Sequence, residues 1–450
     1  MQTMVSKLMH RGARAVAPVV LLFGAAGCSD LLDQAAPTRI LETTLEGPAA
    51  ASLVVDGAQA AFGCAFQAYI TGMGLITDEL EDTQLAAAGW DWDRRSMLQS
   101  GGNYATAACD GGQQFGVYAP MQTARFTANL GVTNLAQYTD AQVAGRTALM
   151  ARSALLGGYA TLLLGEGFCS MALDGGPQLT PAQVFTAAEA KFTEAITHAT
   201  AANNASLLNA ARVGRARTRL NLAKLPGQAV VNARLTEARA DAAAVPAGFV
   251  YNIPYATNTS YSRNMIFVRN QESRLYGVAP RYQAMTFAGQ PDPRVVVDPG
   301  SIGQDNLTPS VYIARKYNSQ AAPIALAKYQ EAQLIMAEAD YHLVGPSAAV
   351  AYINALHTAV GLPPFNSTDA TEILNQLIDE RSRALFLESQ RGYDVNRFNL
   401  PFNPPAGATF QEPQPRIGGG APANRPKGGV YGTVRCMPLP DVERNNNTNF

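Results

Sequence analysis

Apolar residues spaced by threes and fours run through most of this chain, in segments of helix length. Residues 51–76 carry the pattern at Leu53, Ala60, Cys64 and Tyr69, which predicts a helix ended by the acidic run Asp78-Glu79-Leu80-Glu81-Asp82. The pattern resumes over about 116–137 and 140–165, and Gly165-Glu166-Gly167 breaks it. Thr180-Pro181-Ala182-Gln183 then reads as an N-cap, a proline at the first helical position and a capping-box glutamine, opening a helix to about 200. Further helices are predicted at 206–223, 228–244, 323–343, 346–360 and 369–390. Three pairs form hairpins: 140–165 with 181–200, 206–223 with 228–244, and 323–343 with 346–360. Small residues crowd them, as in Ala187-Ala188-Glu189-Ala190 and Ala337-Glu338-Ala339, and let helices approach closely in tetratricopeptide-like stacks. The strict tetratricopeptide pattern is absent.

Two stretches break the periodicity. Residues 83–115 are rich in Gly, Ala and aromatics and read as a long loop with short helical pieces. Residues 249–320 are dominated by Tyr, Asn, Ser, Pro and Gly, with only short strand-like runs at Met265–Arg269 and Val311–Tyr317. The fold class is mostly α, with helical hairpins carrying a large irregular region, the kind of segment on which binding residues concentrate. Residues 401–435 read as coil, and Met437-Pro438-Leu439-Pro440 as extended.

The first 27 residues do not fit this scheme. Lys7, Arg11 and Arg14 precede the apolar run Val16–Phe23, then Gly24-Ala25-Ala26-Gly27-Cys28, with no acidic residue. A basic start, a short apolar core and small residues before a cysteine describe a lipoprotein export signal, cleaved before Cys28 with lipid added to its sulfur. An ordinary secretory signal is the alternative. Residues 28–50 are then a tether and 51–450 one body. Ser29 in place of Asp permits onward transport to the outer membrane. Of 450 residues, 34 are basic and 35 acidic; without the leader 31 basic remain, net −4, which argues against a nucleic-acid partner. Apolar content of 47% with mean hydropathy near zero reads as globular. No later apolar run reaches the roughly 18 residues a membrane span needs. Cys64, Cys109, Cys169 and Cys436 allow up to two disulfides in three connectivities. Cys64–Cys109 with Cys169–Cys436 is the pairing expected, against buried free thiols.

Five segments follow one another in a distinctive order: Thr180–Phe185 continuing to Ala195-Ile196; Gln330–Ala339; Ala351–Leu356 with Gly361-Leu362-Pro363; Ile378-Asp379-Glu380-Arg381, Leu385-Phe386-Leu387-Glu388, Arg391-Gly392-Tyr393-Asp394 and Arg397; and Met437–Pro440 with Glu443. In that order they resemble the SusD/RagB family of surface nutrient-binding lipoproteins. The chain departs from the family pattern at His357, where an Arg is usual, and at Gly165–Cys169. The resemblance implies a SusD-like, tetratricopeptide-like fold, a place on the outer-membrane surface, and a SusC-like TonB-dependent transporter as partner. It implies capture of an oligosaccharide or peptide, with no catalysis, cofactor or metal.

Candidate chemistry centres on Trp90-Asp91-Trp92-Asp93. In an extended stretch the two indoles would lie side by side as a stacking platform, with carboxylates to accept sugar hydroxyls. Tyr276, Arg281 and Tyr282 would supply the opposite wall; Tyr104 and Phe115 are further candidates. The alternative is an aromatic pair that packs its loop onto the core or anchors a protein-only scaffold. Asp78, Glu79, Glu81 and Asp82 could hold calcium or serve a surface glycan hydrolase, but read more simply as a solvated helix end. Glu380, Arg381, Glu388, Arg391, Asp394 and Arg397 read as a buried salt-bridge network rather than an acid/base pair, because arginine neighbours hold both carboxylates ionised. His198, His342 and His357 stand singly on helices. Nucleotide-binding, serine-hydrolase and zinc-protease fingerprints are missing.

Overall fold

The computed structural model describes residues 47–84, 89–305, 310–410 and 427–450. The leader, Cys28 and nearly all of the tether lie outside these. Contacts gather Leu45–Phe450 into one unit. In chain order the elements are α1 (Ala51–Ile76), β1 (Leu80–Asp82), α2 (Trp90–Asp93), α3 (Gly102–Thr106), α4 (Tyr118–Ala136), α5 (Arg146–Gly167), α6 (Pro181–Ala201), α7 (Ala205–Ala223) and α8 (Asn232–Ala243). Then follow β2 (Val250–Ile253), α9 (Met265–Phe267), β3 (Tyr276–Val278), β4 (Thr286–Phe287), β5 (Gln290–Pro291), β6 (Val297–Pro299), β7 (Tyr312–Ala314) and β8 (Ile324–Lys328). The chain closes with α10 (Tyr329–Leu343), α11 (Ala348–Val360), α12 (Ala370–Ala384), α13 (Arg391–Arg397) and α14 (Asp441–Asn446).

The long helices stack in sequence order. α4 packs on α1 and α5, α5 on α6, α6 on α7, α7 on α8, α8 on α10, and α10 on α11. The three expected hairpins are therefore present. The capping box at α6 is also as read: Gln183 N–H donates to Thr180 Oγ1, and Gln183 Oε1 accepts from Thr180 N–H at 2.8 Å. Phe192 of α6 shows what the small residues do. Its ring lies against Gly158 of α5 and Gly214 of α7, where an added Cβ would meet it at 2.9 and 2.3 Å. The ring thus fills the seam between three helices. A Gly214→Ala variant is expected to lose about 1–3 kcal/mol from overpacking, read as a lower urea midpoint.

Among the described residues two helices, α1 and α5, are long and apolar enough to cross a membrane, which corrects the expectation that no such run follows the leader. Both are core helices: every residue of α1 from Phe62 to Ile76 is buried, as is α5 from Ser153 to Gly167. A helix that is apolar all round belongs inside a large protein as readily as inside lipid.

Among the described residues the irregular region hangs on four two-stranded antiparallel ribbons, β1–β3, β2–β8, β4–β5 and β6–β7. The β2–β8 ribbon pairs Val250 with Lys328 and Ile253 with Ile324, so the insert leaves and rejoins the helical scaffold at one place. β1 pairs with β3, Leu80 opposite Val278, and ties the insert to the end of α1. Three expectations shift here. Residues 265–269 are helical, not extended, because the Asn264 side chain caps Ile266 and Phe267 N–H and a π-turn, Val268–Glu272, continues the coil. The helix expected from 323 begins at 329, since 324–328 is strand β8. The helix expected over 369–390 stops at Ala384, and a buried turn with Leu387 and Ser389 at positive φ separates it from α13. Disulfides join Cys64 to Cys109 and Cys169 to Cys436, the expected pairing.

Candidate functional site

Trp90–Asp93 form a helical turn, so residues two apart do not share a side. Trp92 is 3% exposed and stacks on Phe115 at 5.0 Å, with Tyr104 edge-on at 6.5 Å. Gly72 of α1 makes room for that indole, since a Cβ there would meet it at 2.5 Å. Tyr276 and Tyr282 are fully buried: Tyr276 accepts from Gln84 Nε2 at 2.9 Å, and Tyr282 stacks on Phe386 at 4.7 Å. Trp92, Tyr276, Tyr282, Tyr104 and Phe115 therefore offer no face to a ligand. An irregular segment without long helices needs large rings to build its own core, and these five do so.

Three expected residues keep contact with solvent. Trp90 is half-buried; its Nε1–H donates to Gln84 O at 3.2 Å, its ring lies 6.2 Å from Phe410, and Lys427 Nζ sits 5.6 Å from the ring centre. Asp91 accepts from Arg94 at 2.7 Å and from Ser96 at 2.8 Å. Arg281 is half-buried and lines a cavity of about 600 Å³. Within the range of small-ligand sites, this cavity lies between α12 and the segment Leu400–Asn403. Asp78, Arg391 and Ile378 are its buried floor. Arg281, Gln376, Asp379, Phe365, Leu400 and Phe402 are half-buried walls, and Glu372, Asn375, Pro401 and Asn403 form an exposed rim. Trp90 does not line it. The guanidiniums of Arg95 and Arg435 lie over the Phe402 ring, each 4.3 Å from its centre.

Of the four acids after α1, Asp78, Glu79 and Asp82 are buried and Glu81 is half-buried, so they are not a solvated helix end. Asp78 accepts two bonds of 2.7 Å from Arg391 Nε and Nη2. Glu79 accepts Leu387 N–H at 2.9 Å, and burial pushes its carboxyl up to about 7. Asp82 is reached by Lys427 Nζ at 3.1 Å and by Gln84; burial pushes it, too, to about 7. No cluster able to hold a metal ion occurs among the described residues.

The C-terminal charged set is the buried network expected, with different partners. Arg397 pairs with Glu338 and, at 2.9 Å, with Asp394, which also accepts from Arg381 at 2.8 Å. Glu388 does not pair with Arg391 on a shared helical face, because the turn after α12 intervenes; it takes Lys316 and Lys328, each at 2.6 Å. Glu380 accepts from Arg294 at 2.6 Å and from His357 Nε2 at 2.7 Å. Burial would lift Glu380, but those bonds outweigh it and hold the carboxyl below its usual range. His357, the departure from the family pattern, thus faces Glu380 from a buried position, with its Nδ1 2.6 Å from Pro363 O. Glu166, at the other departure, is clasped by Arg217 and by Asn221 at 2.6 Å.

Sequence reasoning missed most of the cavity. Phe365, Glu372, Asn375, Gln376 and Asn403 were not singled out. Their one signal is Pro401-Phe402-Asn403-Pro404, an aromatic and an amide between prolines directly after the densest family motif.

The SusD family model matches residues 311–449. A SusD-like carbohydrate binding protein from Bacteroides vulgatus superposes with a TM-score of 0.63 at 15% identity, covering 90% of this chain and 97% of that one. A SusD superfamily protein from Bacteroides fragilis gives 0.60 at 13%, covering 90% and 99%. NanU of B. fragilis gives 0.54 at 14%, covering 78% and 89%. No curated protein matches the sequence. The family match covers the C-terminal third of the chain, and the described body has the SusD-like fold.

Proposed function

We propose that this protein is a cell-surface lipoprotein that captures an oligosaccharide, or another bulky nutrient, and delivers it to a TonB-dependent outer-membrane transporter. The observation that carries this reading is the cavity at Arg281: solvent-open, lined by amides, carboxylates, guanidiniums and apolar side chains, on a SusD-like scaffold. The carbohydrate binding named for the B. vulgatus relative points the same way. Binding without catalysis fits the carboxylates. Asp78, Glu380 and Glu388 are each tied to cations, and Glu79 and Asp82 are buried away from any substrate. A glycosidase needs one carboxyl poised to give a proton at the scissile bond. Cys28 would carry the lipid, leaving the body free at the surface.

The test is uptake by cells whose only copy of the protein is Cys28→Ala. They are expected to stop accumulating the oligosaccharide that the purified protein binds, with the protein released from the outer membrane. Release of reducing ends from a polysaccharide by the purified protein would instead make it a hydrolase.

A further inference from the structure

We propose that the cavity between α12 and Leu400–Asn403 receives a neutral, hydroxyl-rich end of the ligand and discriminates against sugars bearing carboxylates. This rests on the capture reading and names the substrate class of that site. Arg391 is 4% exposed and gives Nε and Nη2 to Asp78, but its Nη1 has no partner. Arg281 gives Nη2 to Asp379 at 3.2 Å, while its buried Nε also lacks a bond and lies 3.7 Å from Asp78 Oδ2. Both unpaired nitrogens lie beside Asp78 with no accessible surface of their own. The half-buried Arg281 side chain, which lines the cavity, still offers guanidinium donors to the acceptor oxygens of a ligand.

Charge decides what kind of oxygen. The lining holds three carboxylates, Asp78, Glu372 and Asp379, against the two guanidiniums. The cavity is net −1, and both guanidiniums are already neutralised by Asp78 and Asp379. A ligand carboxylate would meet Arg281 and Arg391 only alongside those acids. A hydroxyl suits the same place better, because it accepts from a guanidinium and donates to a carboxylate at once. Adjacent hydroxyls on a sugar ring meet such alternating donors and acceptors, and the rim amides of Asn375 and Asn403 extend the pattern. Phe365, Ile378 and Leu400 give apolar wall for ring C–H groups.

The experiment is calorimetric titration of the mature chain, residues 28–450 with Cys28→Ser, using maltotriose, mannotriose and xylotriose as neutral probes and trigalacturonic acid as the acidic one. At least one neutral probe is expected to bind about tenfold or more tighter than trigalacturonate at low salt. Glu372→Gln/Asp379→Asn turns the cavity to net +1 and is expected to shift that preference roughly tenfold toward the acid. Glu372 stands on the exposed rim, so Glu372→Gln alone, with roughly a threefold shift, serves if the double variant melts early. Tighter binding of trigalacturonate by the wild type, or a neutral preference unmoved by both variants, overturns this inference and leaves capture standing. Binding of none of the four probes overturns it too; capture falls with it only when a wider oligosaccharide and peptide panel also gives no heat.

Discussion

Glu338→Ala is expected to destabilise the protein by about 3–5 kcal/mol, the usual cost of stripping one partner from a buried ion pair. Glu338 and Arg397 have no exposed side-chain surface. Arg397 gives Nη2 to Glu338 Oε2 at 2.7 Å and Nε to Asp394 Oδ1 at 2.9 Å, while Arg381 takes the other oxygen of Asp394. Without Glu338, two buried guanidiniums share one carboxylate. The compensated variant Glu338→Leu/Arg397→Met leaves Arg381 and Asp394 as a matched pair and is expected to fall within about 1 kcal/mol of wild type, since well-packed apolar replacements of buried pairs are close to neutral. Urea unfolding of the three proteins reads this directly. A single variant as stable as wild type would mean that the network does not hold α10 to α13.

The second large effect is on pH. Burial raises four carboxyls, Glu79, Asp82 and Glu331 to about 7 and Glu81 to about 8. Each binds its proton more tightly folded than unfolded. Its contribution is therefore complete below the unfolded value near 4 and is lost as pH rises through 7 or 8. Glu380, Glu388 and Asp394 run the other way: their folded values are lowered, so what they add is lost only as pH falls below the usual carboxylate range. Together these place greatest stability near pH 4–5, with a decline toward pH 8. One proton held only by the folded state is worth about 1.4 kcal/mol per pH unit, so a loss of roughly 3 kcal/mol or more between pH 5 and 8 is expected. Urea midpoints across that range check it. A midpoint that rises from pH 5 to 8 would show these acids to be ionised in the folded protein.

The scaffold was legible because its signals are local. Threefold and fourfold spacing, the Thr180 capping box and small-residue seams each act within a few turns of helix. That Glu380, Arg381, Glu388, Arg391, Asp394 and Arg397 form a buried network followed from their charge density; the partners Arg294, Lys316, Lys328 and Glu338 did not. What escaped was decided at long range. Trp92 reads as a binding residue until Gly72, twenty positions earlier, is seen to make room for its ring. Tyr276 and Tyr282 sit in an irregular segment, yet β1–β3 pairing and the Phe386 ring draw them inside. The acids after α1 look solvated until Arg391 and Lys427, more than three hundred residues away, are placed on them. The cavity needed α1, the insert, α12 and the coil after α13 together, so no single stretch announced it. Arg281 is the one residue of the expected ligand-binding set that lines it, and Trp90 the one aromatic of the expected platform that still reaches solvent.

Glycan capture is the function proposed for this face of the SusD-like body. Its most direct test is calorimetric titration of residues 28–450, Cys28→Ser, against a broad panel of oligosaccharides and peptides, with Arg281→Ala/Asn375→Ala and Trp90→Ala run beside it. Asn375 is exposed and Arg281 half-buried, so the double variant is expected to keep its melting temperature. The account predicts binding of an oligosaccharide that weakens tenfold or more in Arg281→Ala/Asn375→Ala. An oligosaccharide bound equally well by that variant, or a panel that gives no heat with the fold intact, contradicts it.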